Sequence, residues 1–127
     1  MQSATVDYLH PGVHLYVPPP GIHRFVLVIM SGGGGGAQTA GGARQIAMAN
    51  VHLPAGIVSM TVRVGDRGRG ARACREVGRD GGDSSVELAP GQVVMARGGQ
   101  GSSEPLLADA QVETDGQPGS VRIVPFT

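Results

Sequence analysis

The sequence predicts an all-β chain: a small antiparallel β-sandwich, jelly-roll-like, with glycine-rich loops. Three observations lead there. Seven or eight short apolar or alternating runs recur between Gly- and Pro-rich punctuation, as a sandwich requires. No stretch carries a helical repeat of apolar residues free of turn signals. Glycine supplies 22 of the 127 residues and collects where the apolar runs end.

Taken in order, residues 1–11 read as an N-terminal arm or edge element, set off by the turn His10-Pro11-Gly12. Residues 12–127 form the domain. Residues 13–17 alternate and make a short strand, closed by Pro18-Pro19-Pro20-Gly21, whose prolines cannot donate to a ladder. Residues 22–30 form the central strand. Its six consecutive apolar residues, 25–30, are expected to be buried on both faces. The run Gly32-Gly33-Gly34-Gly35-Gly36 follows, then Gly41-Gly42. Glycine loses the most conformational freedom on folding. Such a run suits an ordered protein where backbone must lie against backbone, ligand or partner.

Residues 44–53 are the one segment where helix and strand compete. Ala47, Met48 and Ala49 favour helix, and the flanking turn signals decide for a strand. Residues 58–64 alternate cleanly, with Val58, Met60, Val62 and Val64 on one face. A polar, Arg- and Gly-rich stretch spans 66–83. Residues 85–88 and 92–96 are two strands across the tight turn Pro90-Gly91. Gly98, Gly99 and Gly101 open a further loop, and residues 119–125 close the chain as a last strand.

Composition bounds what such a chain does. One modest core is expected at this length, resting on Val, Ile, Leu and Met, since there are two Phe, two Tyr and no Trp. Ten arginines balance ten acids, so no global field draws the chain to nucleic acid or a membrane. Lysine is absent, which removes a Walker A loop and a Schiff-base lysine. The single Cys74 precludes an internal disulfide and fits a reducing compartment. The first residues lack the basic and apolar regions of a signal peptide.

The ordered set of features supports a resemblance. A Pro-Gly turn and apolar strand run into residues 32–36, with Gly41-Gly42 before a strand. Leu53-Pro54-Ala55-Gly56 and Thr61-Val62-Arg63-Val64-Gly65 come next. Gly81-Gly82-Asp83-Ser84-Ser85, Ala96-Arg97-Gly98-Gly99-Gln100-Gly101 and Gly119-Ser120-Val121-Arg122-Ile123 complete the order. Over residues 12–124 this resembles the glycine-rich domain of bacteriophage tail fibres and related virion appendage proteins. Residues 67–79 are poorer in glycine and richer in arginine than that pattern.

No catalytic set emerges. Gly32-x-Gly34-x-x-Ala37 formally matches a dinucleotide fingerprint, but no helix-forming segment follows it and residues 52–58 hold no acid. Asp80-Gly81-Gly82-Asp83 is too short for a calcium loop and reads as a turn into the next strand. No His-x-x-x-His spacing falls at helical register, so zinc is not expected, and Ser84 and Ser85 lack a nucleophile elbow. Cys74 stands among arginines, which favour its thiolate, but has no second cysteine to act with. No cofactor or metal is expected.

Two groups of residues remain. Gly32, Gly33, Gly34, Gly35, Gly36, Gly41, Gly42, Gly98, Gly99 and Gly101 are expected to pack as glycine tracts against one another. Arg67, Arg69, Arg72, Arg75 and Arg79 form the one strong charge feature, an anion or subunit contact. No aromatic residue lies between them, against nucleic-acid binding. The resemblance implies a non-enzymatic structural protein of a tailed-phage or prophage virion. It would serve a fibre, spike or baseplate in host-surface attachment, with a capsid decoration or cement protein as the alternative. Expected partners are further copies, as a trimer, other virion proteins and a host surface glycan. No specific nucleic acid and no membrane insertion are expected, and the location is the virion.

Overall fold

The computed structural model describes residues 4–107 and 113–126. It holds eight strands and, among the described residues, no helix: β1 (Val6–Tyr8), β2 (Gly12–Tyr16), β3 (Arg24–Met30), β4 (Ile46–His52), β5 (Met60–Val64), β6 (Ser84–Ala89), β7 (Gln92–Ala96) and β8 (Ser120–Phe126). They form two four-stranded antiparallel sheets, ordered β1-β8-β3-β4 and β2-β5-β6-β7. The sheets face each other as a β-sandwich. No helix among the described residues is long and apolar enough to cross a membrane.

Strand alternation decides what lies between the sheets. Phe25, Leu27 and Ile29 of β3 and Val121 and Ile123 of β8 meet Met60 and Val62 of β5 and Val86 of β6, all fully buried. Tyr16 at the end of β2 meets Phe25 edge-on, with ring centroids 5.9 Å apart. Burial holds the Tyr16 hydroxyl above its ordinary pKa, and the charge of Tyr8 adds to the effect. The β6–β7 hairpin turns through Pro90-Gly91, with Ala89 opposite Gln92. Gly91 takes a φ of 83° there, a conformation that favours glycine.

Two expectations are corrected. β3 is buried on one face only: Val26, Val28 and Met30 are half-buried, because the antiparallel sheet has a single layer packed against it. In register with them lie Met48 and Ile46 of β4, 69% and 60% exposed, so the sheet's outer face carries an apolar stripe. Val58 does not share the inward face of Met60, Val62 and Val64. It precedes β5 and is 76% exposed. Of the two readings of residues 1–11, residues 6–8 follow the edge element: β1 pairs with β8 at the edge of its sheet, in the register Val6 with Ile123 and Tyr8 with Val121.

Candidate functional site: a glycine bundle and its arginine cleft

β3 continues past Met30 into residues 31–37, all buried and assigned to no helix or strand. Two serines set the junction. Ser31 Oγ accepts the Gln45 N–H at 2.8 Å, and Ser84 Oγ, at the start of β6, accepts the Gly65 N–H at 2.9 Å. Both serines are fully buried.

Beyond the junction the amides of the tract find acceptors in rotation. Gly32 donates to Gly82 O and Gly35 to Arg79 O. Gly33 donates to Gln117 O and Gly36 to Thr114 O; Gly34 donates to Gly42 O and Ala37 to Thr39 O. These six bonds measure 2.8–3.0 Å. The carbonyls follow the same step. Gly32 O and Gly35 O accept from Gly99 and Ser102, while Gly33 O and Gly36 O accept from Gly68 and Ala71. Each neighbouring segment returns after three residues. That period marks a threefold extended helix of the polyproline II type, rising about 3.1 Å per residue. An isolated helix of this kind leaves its backbone to water; here neighbouring chains replace the water.

The outer segments are tied to one another with the same step. Gly119, Gly116 and Glu113 donate to the carbonyls of Gly65, Gly68 and Ala71. Gly82 and Arg79 donate to Asp66 and Arg69, and Gly81 and Gly78 to Gly99 and Ser102. Asp83 and Asp80 add their Oδ1 atoms as acceptors for Gly98 and Gly101 N–H, each at 2.7 Å. Residues 80–83 are therefore an extended member of the bundle, where the sequence suggested a turn. Residues 66–71 and 98–102 are likewise packed segments rather than open loops.

Close approach explains most of the glycines. A Cβ on Gly32, Gly34 or Gly35 would fall on the backbone carbonyl of Asp66, Gln100 or Arg69. One on Gly41, Gly98 or Gly101 would fall on the carbonyl of Gly34, Gly81 or Gly78, and Gly99 lies against Gly42 O and Ala43 O. Gly42 is less tightly held, 3.0 Å from Gln100 N to its notional Cβ. Gly33 and Gly36 differ: the nearest atoms would stand at 3.2 and 3.6 Å. Gly65, Gly68, Gly78, Gly81 and Gly116 pack in the same way, although the sequence did not place them in the expected packing group. Their spacing was the available signal, since Gly65 and Gly68, Gly78 and Gly81, Gly98 and Gly101, and Gly116 and Gly119 each lie three apart.

A model of the family described as a glycine-rich domain matches residues 10–122. The chain belongs to that family. No curated protein and no solved structure gives a significant match.

On the surface of this glycine-rich domain, Arg69, Arg72, Arg75 and Arg79 line one open cleft of about 810 Å³, with Glu76 and Asp80. Arg67 does not line it. Arg72 Nη2 donates to Asp115 Oδ1 at 2.7 Å, and the Gly70 N–H donates to the same oxygen at 2.8 Å. The Gly70 bond first, then Arg72, holds the Asp115 carboxyl below its ordinary pKa. Glu76 Oε1 is occupied by the Arg72 backbone N–H at 2.9 Å, and Asp80 by Gly101. Among the described residues no carboxylate pairs with Arg69, Arg75 or Arg79. Arg75 is the one described non-glycine residue at positive φ, 72°. Its N–H donates to Leu106 O at 2.7 Å, and the Leu106 N–H returns to Glu76 O at 2.9 Å. Leu106 is buried with Ala37 and Ala71 in a small second core, which fixes the rim of the cleft. The half-buried Cys74 thiol donates to Leu107 O at 3.6 Å. Among the described residues no three His, Cys, Asp or Glu side chains gather as metal ligands.

Proposed function

We propose that this glycine-rich domain is a non-enzymatic structural module of a tailed-phage or prophage virion, part of a fibre, spike or baseplate that attaches to the host surface. The observation that carries the reading is the arginine cleft: Arg69, Arg75 and Arg79 are presented without carboxylate partners among the described residues, on a framework held by backbone hydrogen bonds. Guanidinium groups so placed suit phosphate or carboxylate groups of a surface glycan. The apolar stripe of Ile46, Met48, Val28 and Met30 supports burial against further copies, and we propose a homotrimer.

Two measurements test this. Immuno-electron microscopy of purified particles should place the chain at the tail; labelling of the head would favour the capsid-decoration role instead. The variant Arg69→Gln/Arg75→Gln/Arg79→Gln leaves the Arg72–Asp115 pair intact. It should lower attachment to cells at low salt, and the difference should fade as salt rises, because exposed charges are screened over about 10 Å at 0.1 M. Equal attachment at low salt would return the cleft to a solvated surface.

A further inference from the structure

The central threefold helix, residues 32–36, has a ring of neighbours with one place left open. A helix with three residues per turn directs its N–H groups along three lines and its carbonyls along three others. The N–H lines meet the segments at 79–82, 114–117 and 39–42. Two carbonyl lines meet those at 68–71 and 99–102. Cross-bonds set the order around the ring: 39–42 beside 99–102, then 79–82, then 68–71, then 114–117. Among the described residues the last of these makes no backbone bond to the first. Between them lies a groove of about 520 Å³, lined by residues 38–44 and 113–117 with Gly33, Gly34 and Gly36 at its floor.

Two independent observations mark this groove as the missing sixth place. The third carbonyl line is that of Gly34, and among the described residues no N–H or O–H donates to the Gly34 oxygen, although Gly34 is buried. Gly36 also lies on the side of the helix that faces the groove, and it is a glycine the chain's own packing does not require. Among the described residues a Cβ there would meet nothing nearer than 3.6 Å, in ordinary contact. The floor is bare backbone where the fold would accommodate a side chain.

We propose that this groove receives a threefold extended segment of a partner polypeptide, rich in glycine and proline, as the sixth helix of the ring. The occupant must be extended and threefold to follow its five neighbours. It must present an N–H to Gly34 O. Proline at the other positions stiffens that conformation without needing acceptors. Recognition of this kind rests on shape and backbone bonding, and so differs from the charge-based arginine cleft.

The probe is a fluorescein-labelled (Gly-Pro-Pro)4 peptide, titrated against the whole chain and followed by anisotropy. Saturable binding is expected, changed less than twofold between 0.05 and 0.5 M salt. Gly36→Leu fills the floor of the groove and should weaken binding at least tenfold, with the thermal unfolding curve retained. Thr114 is exposed at the rim. Thr114→Trp obstructs the groove from outside and should weaken binding similarly even if Gly36→Leu does not fold. No saturable binding by the wild type at millimolar peptide would overturn the proposal. Equal binding by a folded Gly36→Leu or Thr114→Trp protein would overturn it too. So would self-association abolished by these substitutions without peptide binding, which would make the occupant a second copy.

Discussion

The two halves of the molecule are held together by opposite means. In the sandwich, side chains fill the space between the sheets, and Phe25, Leu27, Met60 and Ile123 are removed from water entirely. In the glycine bundle the backbones themselves fill the space, and Gly34, Gly35 and Gly78 lie against carbonyl groups of neighbouring segments. A chain poor in aromatic residues is thereby ordered over a region with almost no apolar side chains. There the stabilising contribution comes from satisfied peptide groups, each worth only about 0.5–1.5 kcal/mol net but numerous.

The strongest way to break this contrast is to add a methyl group to the bundle. Gly34→Ala and Gly35→Ala place a Cβ on backbone that cannot turn aside. Each should cost more than the roughly 1–3 kcal/mol usual for overpacking. Together they should consume much of a net stability of about 5–15 kcal/mol, read by chemical denaturation. Curves coincident with wild type would mean the segments do not touch. In the sandwich the opposite operation does the damage: Phe25→Ala removes a ring and should cost about 3–5 kcal/mol in the same assay.

The junction between the halves should show a smaller effect. Ser84→Ala leaves the Gly65 N–H buried without its acceptor, at about 1–3 kcal/mol. A loss well under 0.5 kcal/mol would mean that another acceptor takes over. Hydrogen exchange sharpens the comparison without mutation. Amides of Gly32 to Gly36 should be protected to a degree comparable with β3, although they belong to no sheet. Exchange at the rate of an open loop would remove the bundle.

The smallest effect is electrostatic. The Asp115 carboxyl is held below its ordinary pKa by the Gly70 N–H and then by Arg72. Its contribution is present above the ordinary aspartate value of about 3.9 and is lost as pH falls through the lowered value. Asp115→Asn should flatten that acid limb of the stability profile and leave neutral pH less affected. An unchanged limb would show that Asp115 carries no coupling.

How far the sequence revealed these halves follows from the physics of each. The sandwich was legible because side chains hold it: the alternation through Met60, Val62 and Val64, and the turn at Pro90-Gly91, each carry a local signal. Two details were not legible. Phe25 to Met30 form an unbroken apolar run, and nothing in that run says that Val26 and Val28 lack a covering layer. Val58 continues the alternation but lies beyond the point where β5 begins to pair. In the bundle, the need for close backbone approach was readable from the glycines of residues 32–36. The partners were not, because glycine carries no side chain to encode them. The three-residue spacing of Gly65, Gly68 and Ala71 held that information, and a search for periods of 2 and 3.6 passes over it. The arginine cleft shows the same limit: five arginines read as one group, and the fold gathers four of them.

The three-residue step in the outer segments has a consequence for how this surface can vary. In residues 65–71, Gly65, Gly68 and Ala71 face inward, while Asp66, Arg67 and Arg69 are exposed. In residues 78–82, Gly78 and Gly81 abut the central helix and Arg79 and Asp80 are exposed. The framework thus dictates glycine wherever a segment abuts a neighbour, Gly70 and Gly82 included, and leaves the exposed arginine positions open. Exposed letters can be rewritten, charge reversed or a sugar-binding aromatic introduced, with little penalty inside. A scan replacing Arg67, Arg69 and Arg79 by each other amino acid should return mostly folded proteins with different surfaces. The same scan at Gly65, Gly68 and Gly78 should return almost none.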